Sequence, residues 1–110
     1  MTRLHEELAR LAARGVPDAA PGGGVPDGLW FPRIVLVVEG KARSAFDRVS
    51  PDPGVRVVAA ARDGDEEIAR LAGGLPGRRL VITADQELRR RCLDAGAEVT
   101  GPQWLLRLLR

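Results

Sequence analysis

Two rhythms of apolar and polar positions run along the chain. Leu4, Leu8, Leu11 and Ala12 recur at helical spacing, with Glu6, Glu7 and Arg10 on the other side. That spacing predicts an amphipathic helix with Thr2 as its N-cap and Gly15 as its stop. The second rhythm consists of short unbroken apolar runs, the signature of buried strands. Arg33 to Val38, Val55 to Ala61, Arg79 to Thr83 and Ala97 to Thr100 are the predicted strands. Between them lie weaker helical stripes: Lys41 to Arg48 with Phe46 turned inward, then Ile68, Leu71 and Ala72, then Leu88, Cys92 and Leu93. Pro102 suits the first turn of a last helix whose core face is Trp104, Leu105, Leu108 and Leu109.

Punctuation fits this division. Asp63 with Glu66, and Thr83 with Gln86, read as capping-box starts. Ser50 to Gly54 and Pro76-Gly77 read as turns. Residues 16–28 hold Pro17, Pro21, Pro26 and Gly22-Gly23-Gly24, and predict a flexible loop without regular structure. After the first helix the order is β-(α)-β-α-β-α-β-α. This alternation argues for a single α/β domain over residues 1–110, with three α/β/α layers. The sheet is expected to be mainly parallel, of about four strands, with right-handed crossovers.

Composition narrows the picture. A chain of 110 residues that is 45% apolar supports one core. A net charge of +2 is too small to imply nucleic acid by itself. Arg89-Arg90-Arg91 is a local basic run, commonly a solvated helix face and less commonly a phosphate contact. Cys92 is the only cysteine, so no disulfide forms within the chain, and its spacing from Leu88 makes it a buried small apolar residue. His5, the only histidine, reads as a surface residue beside Glu6. Met1 to Arg14 is charged throughout, and no apolar run nears the roughly 20 residues of a membrane span. A cytoplasmic protein with no membrane partner is expected.

The candidate chemistry lies where the apolar runs end. Glu39 follows the first, Asp63 and Asp65 follow the second, and Asp85 follows the third. A parallel sheet gathers its strand ends at one edge, where α/β proteins bind ligands. Carboxylates clustered there suit a hard cation such as Mg²⁺ or Mn²⁺. The competing reading is that each acid is a helix-dipole partner or cap, worth roughly 0.3–1 kcal/mol. No phosphate-cradling G-x-x-x-x-G-K-[ST] loop and no Ser, His or Cys constellation competes.

The stretch from Arg33 onward resembles the PIN-like nucleases, in their NYN-type branch. The resemblance rests on Ile34-Val35-Leu36-Val37-Val38-Glu39-Gly40, on Gly64-Asp65-Glu66-Glu67-Ile68, on Val81-Ile82-Thr83-Ala84-Asp85-Gln86-Glu87-Leu88, and on the tail Gly96 to Leu105. It implies a metal-dependent ribonuclease that hydrolyses an RNA phosphodiester with water as nucleophile. The family's G-x-D-D element falls on Gly64-Asp65-Glu66, with Glu in the last place. Its T-x-D element falls on Thr83-Ala84-Asp85. Asp65, Glu66 and Asp85 are then the implied catalytic residues and, with Glu39, the metal ligands. Arg89 and Arg90, one turn past Asp85, are the implied substrate-phosphate contacts.

The chain departs from the family at its start. The family's central strand ends in a ligating Asp, within a D-x-x-N-like segment, and no such segment precedes Thr2. An N-terminally truncated PIN-like domain is thus expected, with metal binding weakened and cleavage weakened or abolished. Its sheet would close up, pair with another copy as a homodimer, or keep edges that favour association. A non-catalytic reading keeps RNA or protein binding and makes the acids helix caps. A third reading starts from Glu39-Gly40-Lys41, which resembles the opening of a Toprim domain. The later acidic element is Asp85-Gln86-Glu87 rather than D-x-D.

Overall fold

The structure is a computed structural model that describes residues 2–17, 29–38, 54–60 and 63–109. In chain order the elements are α1 (Thr2–Arg14), β1 (Val16–Pro17), β2 (Leu29–Trp30), β3 (Ile34–Val38), β4 (Val55–Ala59), α2 (Gly64–Gly74), β5 (Leu80–Ile82), α3 (Gln86–Asp94), β6 (Glu98–Thr100) and α4 (Pro102–Leu109). The predicted helix over 41–48 and the turn residues 50–53 lie outside the described residues. None of the described helices is long and apolar enough to cross a membrane.

The α/β character expected from the pattern is present, with four helices among the described residues. Among the described residues the strands do not join into the expected continuous sheet of four. β3 pairs in parallel with β4, and β5 pairs in parallel with β6, as two separate sheets. The ladder bonds of β3 go to β4 and those of β5 go to β6, so among the described residues no strand pairing bridges the halves. Helices connect them instead: α2 packs on β3 and on α3, α3 packs on β6, and α1 packs on β3, β4 and α4. Arg14 ties α1 to α4 by donating to the Leu108 carbonyl.

Several local expectations also change. Val16-Pro17 is not loop, since it pairs antiparallel with Leu29-Trp30. Gly15 makes this return feasible: it takes φ +88° and its N–H closes α1 on the Leu11 carbonyl at 2.9 Å. A Cβ there would stand 3.0 Å from the Phe31 ring, so the position is restricted by conformation and by space. His5 is buried, at 6% exposure, while Leu4 is 38% exposed. The core face of α1 is therefore His5, Leu8, Leu11 and Ala12, a 3-4 helical spacing that admits the imidazole and leaves Leu4 at its rim. Thr2 lies within α1 rather than capping it.

The C-terminal core is Ala72, Leu88, Cys92 and Ala97, with Ile68, Ala69, Val81 and Val99 packed against it. Small side chains on both helices let α2 and α3 approach closely. Arg79 fixes their ends. Its Nε donates to the Ala72 carbonyl at 2.6 Å, Nη1 to Gly77 at 2.6 Å and Nη2 to Ala95 at 3.0 Å. These carbonyls lie at or just beyond helix C-termini, where a cation meets the negative end of the dipole. Beside it α3 closes in a Schellman motif: Gly96 takes φ +90°, and Ala97 donates to the Cys92 carbonyl at 3.0 Å. One residue earlier, Arg78 grips Glu98 on β6 through two hydrogen bonds of 2.9 and 3.2 Å. Its guanidinium also stands 4.4 Å over the Trp30 ring, which joins β2 to the C-terminal half.

Arg79→Ala is expected to lose about 2–4 kcal/mol in urea unfolding, because three carbonyls lose a charge-assisted donor. Gly96→Ala should lose about 1–3 kcal/mol, since φ +90° strains any other residue and its Cβ would meet Arg79 Nη2 at 3.1 Å. Unfolding midpoints within 0.5 kcal/mol of the parent for both variants would refute this account of the clamp.

Candidate functional site at the carboxyl edge of the second strand pair

Clamping the C-termini of α2 and α3 at one end of β5 leaves helix N-termini at the other. β5 ends at Ile82, and Thr83-Ala84-Asp85 carries the chain into α3. Thr83 N–H donates to the Thr100 carbonyl at 3.0 Å, holding the two strand ends together. Thr83 is not the N-cap that its spacing from Gln86 predicts. Its Oγ1 accepts from Asp85 N–H at 3.1 Å, and this turn hands the cap to Asp85. Asp85 Oδ1 then accepts from Leu88 N–H at 2.8 Å. Oδ2 of this exposed residue makes no hydrogen bond among the described residues.

The second acidic group opens α2. Asp63 is the cap, with Oδ1 accepting from Asp65 N–H at 2.9 Å, so the predicted partnership with Glu66 is not the one formed. Glu66 is exposed and Asp65 is half-buried. Glu67 is engaged within the helix by Arg70, which holds its carboxyl below the usual range chiefly through their hydrogen bond. Burial pushes the Cys92 thiol up, Arg91 opposes this, and Asp65 adds to it. Cys92 is fully buried, as its spacing predicts.

The remaining candidates divide as follows. Arg90 is held by its own helix, donating to Glu87 at 2.6 Å with Asp94 at 3.9 Å. Arg89 is half-buried and makes no side-chain bond among the described residues. Glu39 and Lys41 lie outside the described residues. Among those described, no group of three His, Cys, Asp or Glu side chains stands close enough to hold a metal ion.

Beside the turn that leads to Asp85 an open groove of about 450 Å³ is lined by Ala84, Thr100, Gly101, Pro102, Gln103, Trp104 and Arg107. It lies at the carboxyl ends of β5 and β6 and at the first turn of α4. Sequence reasoning missed it by assigning Trp104 to the core face of the last helix. None of the described α4 residues is buried, and Trp104 is half-exposed in the groove wall. The signal for it was Gly101-Pro102, which starts a helix directly at a strand end. An indole, an amide, a hydroxyl and a guanidinium beside a helix N-terminus suit a phosphate-bearing ligand with a flat base. Compared with family models, curated proteins and solved structures, the chain matches none of them.

The cap and the thiol give two expectations. Asp85→Ala should cost about 1 kcal/mol by urea unfolding, and Asp85→Asn a few tenths at most, since Asn caps as well as Asp. Cys92, fully buried and with its thiol pushed up by that burial, should resist a thiol reagent in the folded protein and react at once in denaturant. Equal losses for both Asp85 variants, or rapid labelling of the native protein, would contradict these assignments.

Proposed function

We propose that the chain is a PIN-like domain of NYN type, a three-layer α/β/α unit whose carboxyl edge meets RNA. In this reading Asp65, Glu66 and Asp85, with Glu39, are the carboxylates toward Mg²⁺ or Mn²⁺. The observation that carries it is the position of Asp85. It follows the end of β5 by three residues, its cap engages Oδ1 alone among the described residues, and Ala84, its neighbour in sequence, lines the Trp104–Arg107 groove. A divalent ion there would lower the pKa of a bound water and neutralise phosphoryl charge. The chain's own residues would orient the substrate. Trp104 offers a stacking surface, Arg107 and Arg89 offer cations to the backbone phosphates, and the first turn of α4 offers N–H groups.

One observation favours a second reading, RNA binding without cleavage. The described residues bring no three carboxylates together, and the oxygens of Asp63 and Asp85 are partly committed to caps. The two readings separate experimentally. Cleavage of single-stranded RNA in Mn²⁺, with a metal-dependent rise in melting temperature, supports the nuclease. Asp85→Asn and Asp65→Asn should then abolish both, with Asp85→Asn leaving the metal-free melting temperature unchanged because the cap survives. RNA binding that is independent of metal and lost in Trp104→Ala and Arg107→Ala supports the second reading. A protein that neither binds nor cleaves RNA overturns both.

A further inference from the structure

The helix beside the groove starts differently from its neighbours. α2 and α3 are capped by the carboxylates of Asp63 and Asp85. At the head of α4 stands Gly101, whose carbonyl accepts from Trp104 N–H at 3.3 Å and which has no side chain to cap with. Pro102 follows and brings no N–H. The next amide, Gln103 N–H, makes no hydrogen bond among the described residues. A Cβ on Gly101 would meet nothing within 4 Å, so the space in front of this helix end is open. The first turn of α4 therefore keeps a free donor at the positive end of its dipole.

A free helix end alone is commonly satisfied by water. Thr100 sets this one apart. It is buried, at 8% exposure, and its backbone carbonyl is taken by Thr83 N–H. Its hydroxyl has no hydrogen-bond partner among the described residues. No buried residue among them holds a side-chain oxygen that is both sealed from solvent and unbonded, so the remaining exposure of Thr100 includes its hydroxyl. The surface it opens onto is the groove, which Thr100 lines together with Gln103, Trp104 and Arg107. Trp104 and Arg107 are three residues apart and share one face of α4. Arg107 makes no hydrogen bond or ion pair among the described residues, and no acid lines the groove.

We propose that the groove is a site for a single nucleotide with a terminal phosphate, its base on Trp104 and its phosphate on the Thr100 hydroxyl, Gln103 N–H and Arg107. The proposal rests on the reading of this groove as an RNA-facing surface and narrows its ligand. Size supports one nucleotide rather than a strand: about 450 Å³ lies in the lower part of the roughly 300–1,000 Å³ range of small-ligand sites. The donors support a terminal phosphate. A phosphomonoester offers three acceptor oxygens and close to two negative charges, which suit a hydroxyl, an N–H at a helix end and a guanidinium. An internal phosphodiester has two free oxygens and leaves one of these donors unmatched. The indole supplies the face on which a flat base stacks.

Titration calorimetry on the full chain tests the site, with adenosine monophosphate as probe and adenosine as its phosphate-free control. The nucleotide should bind about tenfold tighter than adenosine, or better. Thr100→Val removes the hydroxyl and keeps the side-chain shape, so it should weaken nucleotide binding about tenfold without lowering the melting temperature. Gly101 does not take a positive φ, so Asp fits its backbone. Gly101→Asp caps α4 with a carboxylate, and should hold or raise the melting temperature while weakening nucleotide binding about tenfold or more. Neither variant should change adenosine binding. A short RNA with a phosphate on either end, or on neither, separates the sources of the nucleotide. Preference for a phosphorylated RNA identifies a strand end as the occupant. Binding of adenosine monophosphate without binding of RNA identifies a free nucleotide, and then the RNA reading fails while this proposal stands. RNA binding that ignores the terminal phosphate overturns the proposal and leaves the RNA reading intact. The proposal is also overturned if adenosine monophosphate binds no tighter than adenosine, or if either variant binds it as the parent does.

Discussion

Arg79 is the residue on which the described C-terminal half depends. Its guanidinium reaches the end of α2, the turn at Gly77 and the end of α3, and its carbonyl accepts from Glu98 to begin the β5–β6 ladder. One side chain thereby sets two helices and a strand register. The functional consequence lies at the opposite edge. With helix C-termini gathered at the start of β5, the first turns of α3 and α4 fall at the strand ends, where positive dipole ends and strand-end loops converge. The groove beside the turn into Asp85 follows from that geometry, and so does its polarity.

The same geometry explains why acids at strand ends are ambiguous in a sequence. A helix that starts there needs an N-cap, and a metal or phosphate site there needs carboxylates, so both demands select Asp at the same place. Asp63 and Asp85 each give an oxygen to a cap. Capping and ligation are nonetheless compatible in Asp85, because the cap engages Oδ1 alone. The structure thus turns a list of acids into a ranking: Asp85 follows Ala84 of the groove wall, Asp65 is half-buried, Glu66 is exposed, and Glu67 is engaged by Arg70.

Much of this fold was legible because it is periodic. The stripes on α1, α2 and α3 and the apolar runs of β3 to β6 fall close to their predicted places, and Cys92 is buried as its spacing from Leu88 requires. What failed was non-local or decided by a single turn. Whether four apolar runs join one sheet depends on which edges meet, and no local pattern encodes that. His5 was misread by residue type although its spacing to Leu8 and Ala12 places it on the core face. Thr83 was read as a cap because its spacing to Gln86 fits, whereas its hydroxyl makes a turn that passes the role to Asp85. Val16-Pro17 pairs with Leu29-Trp30 across a Pro- and Gly-rich segment whose composition speaks only of irregularity. The Arg79 and Arg78 contacts could not be read from the chain, since their carbonyl and carboxylate partners are set by tertiary packing.

The central proposal is that the carboxylates opening α2 and α3 meet one cation at the carboxyl edge. Paramagnetic broadening by Mn²⁺, followed on the amide resonances of the full chain, measures this directly. Convergence predicts selective loss of the Asp65, Glu66, Asp85 and Gln86 signals at low Mn²⁺, with Asp94 and Glu98 unaffected. Broadening spread over all the exposed acids, or centred on Asp94 and Glu98, would contradict the claim.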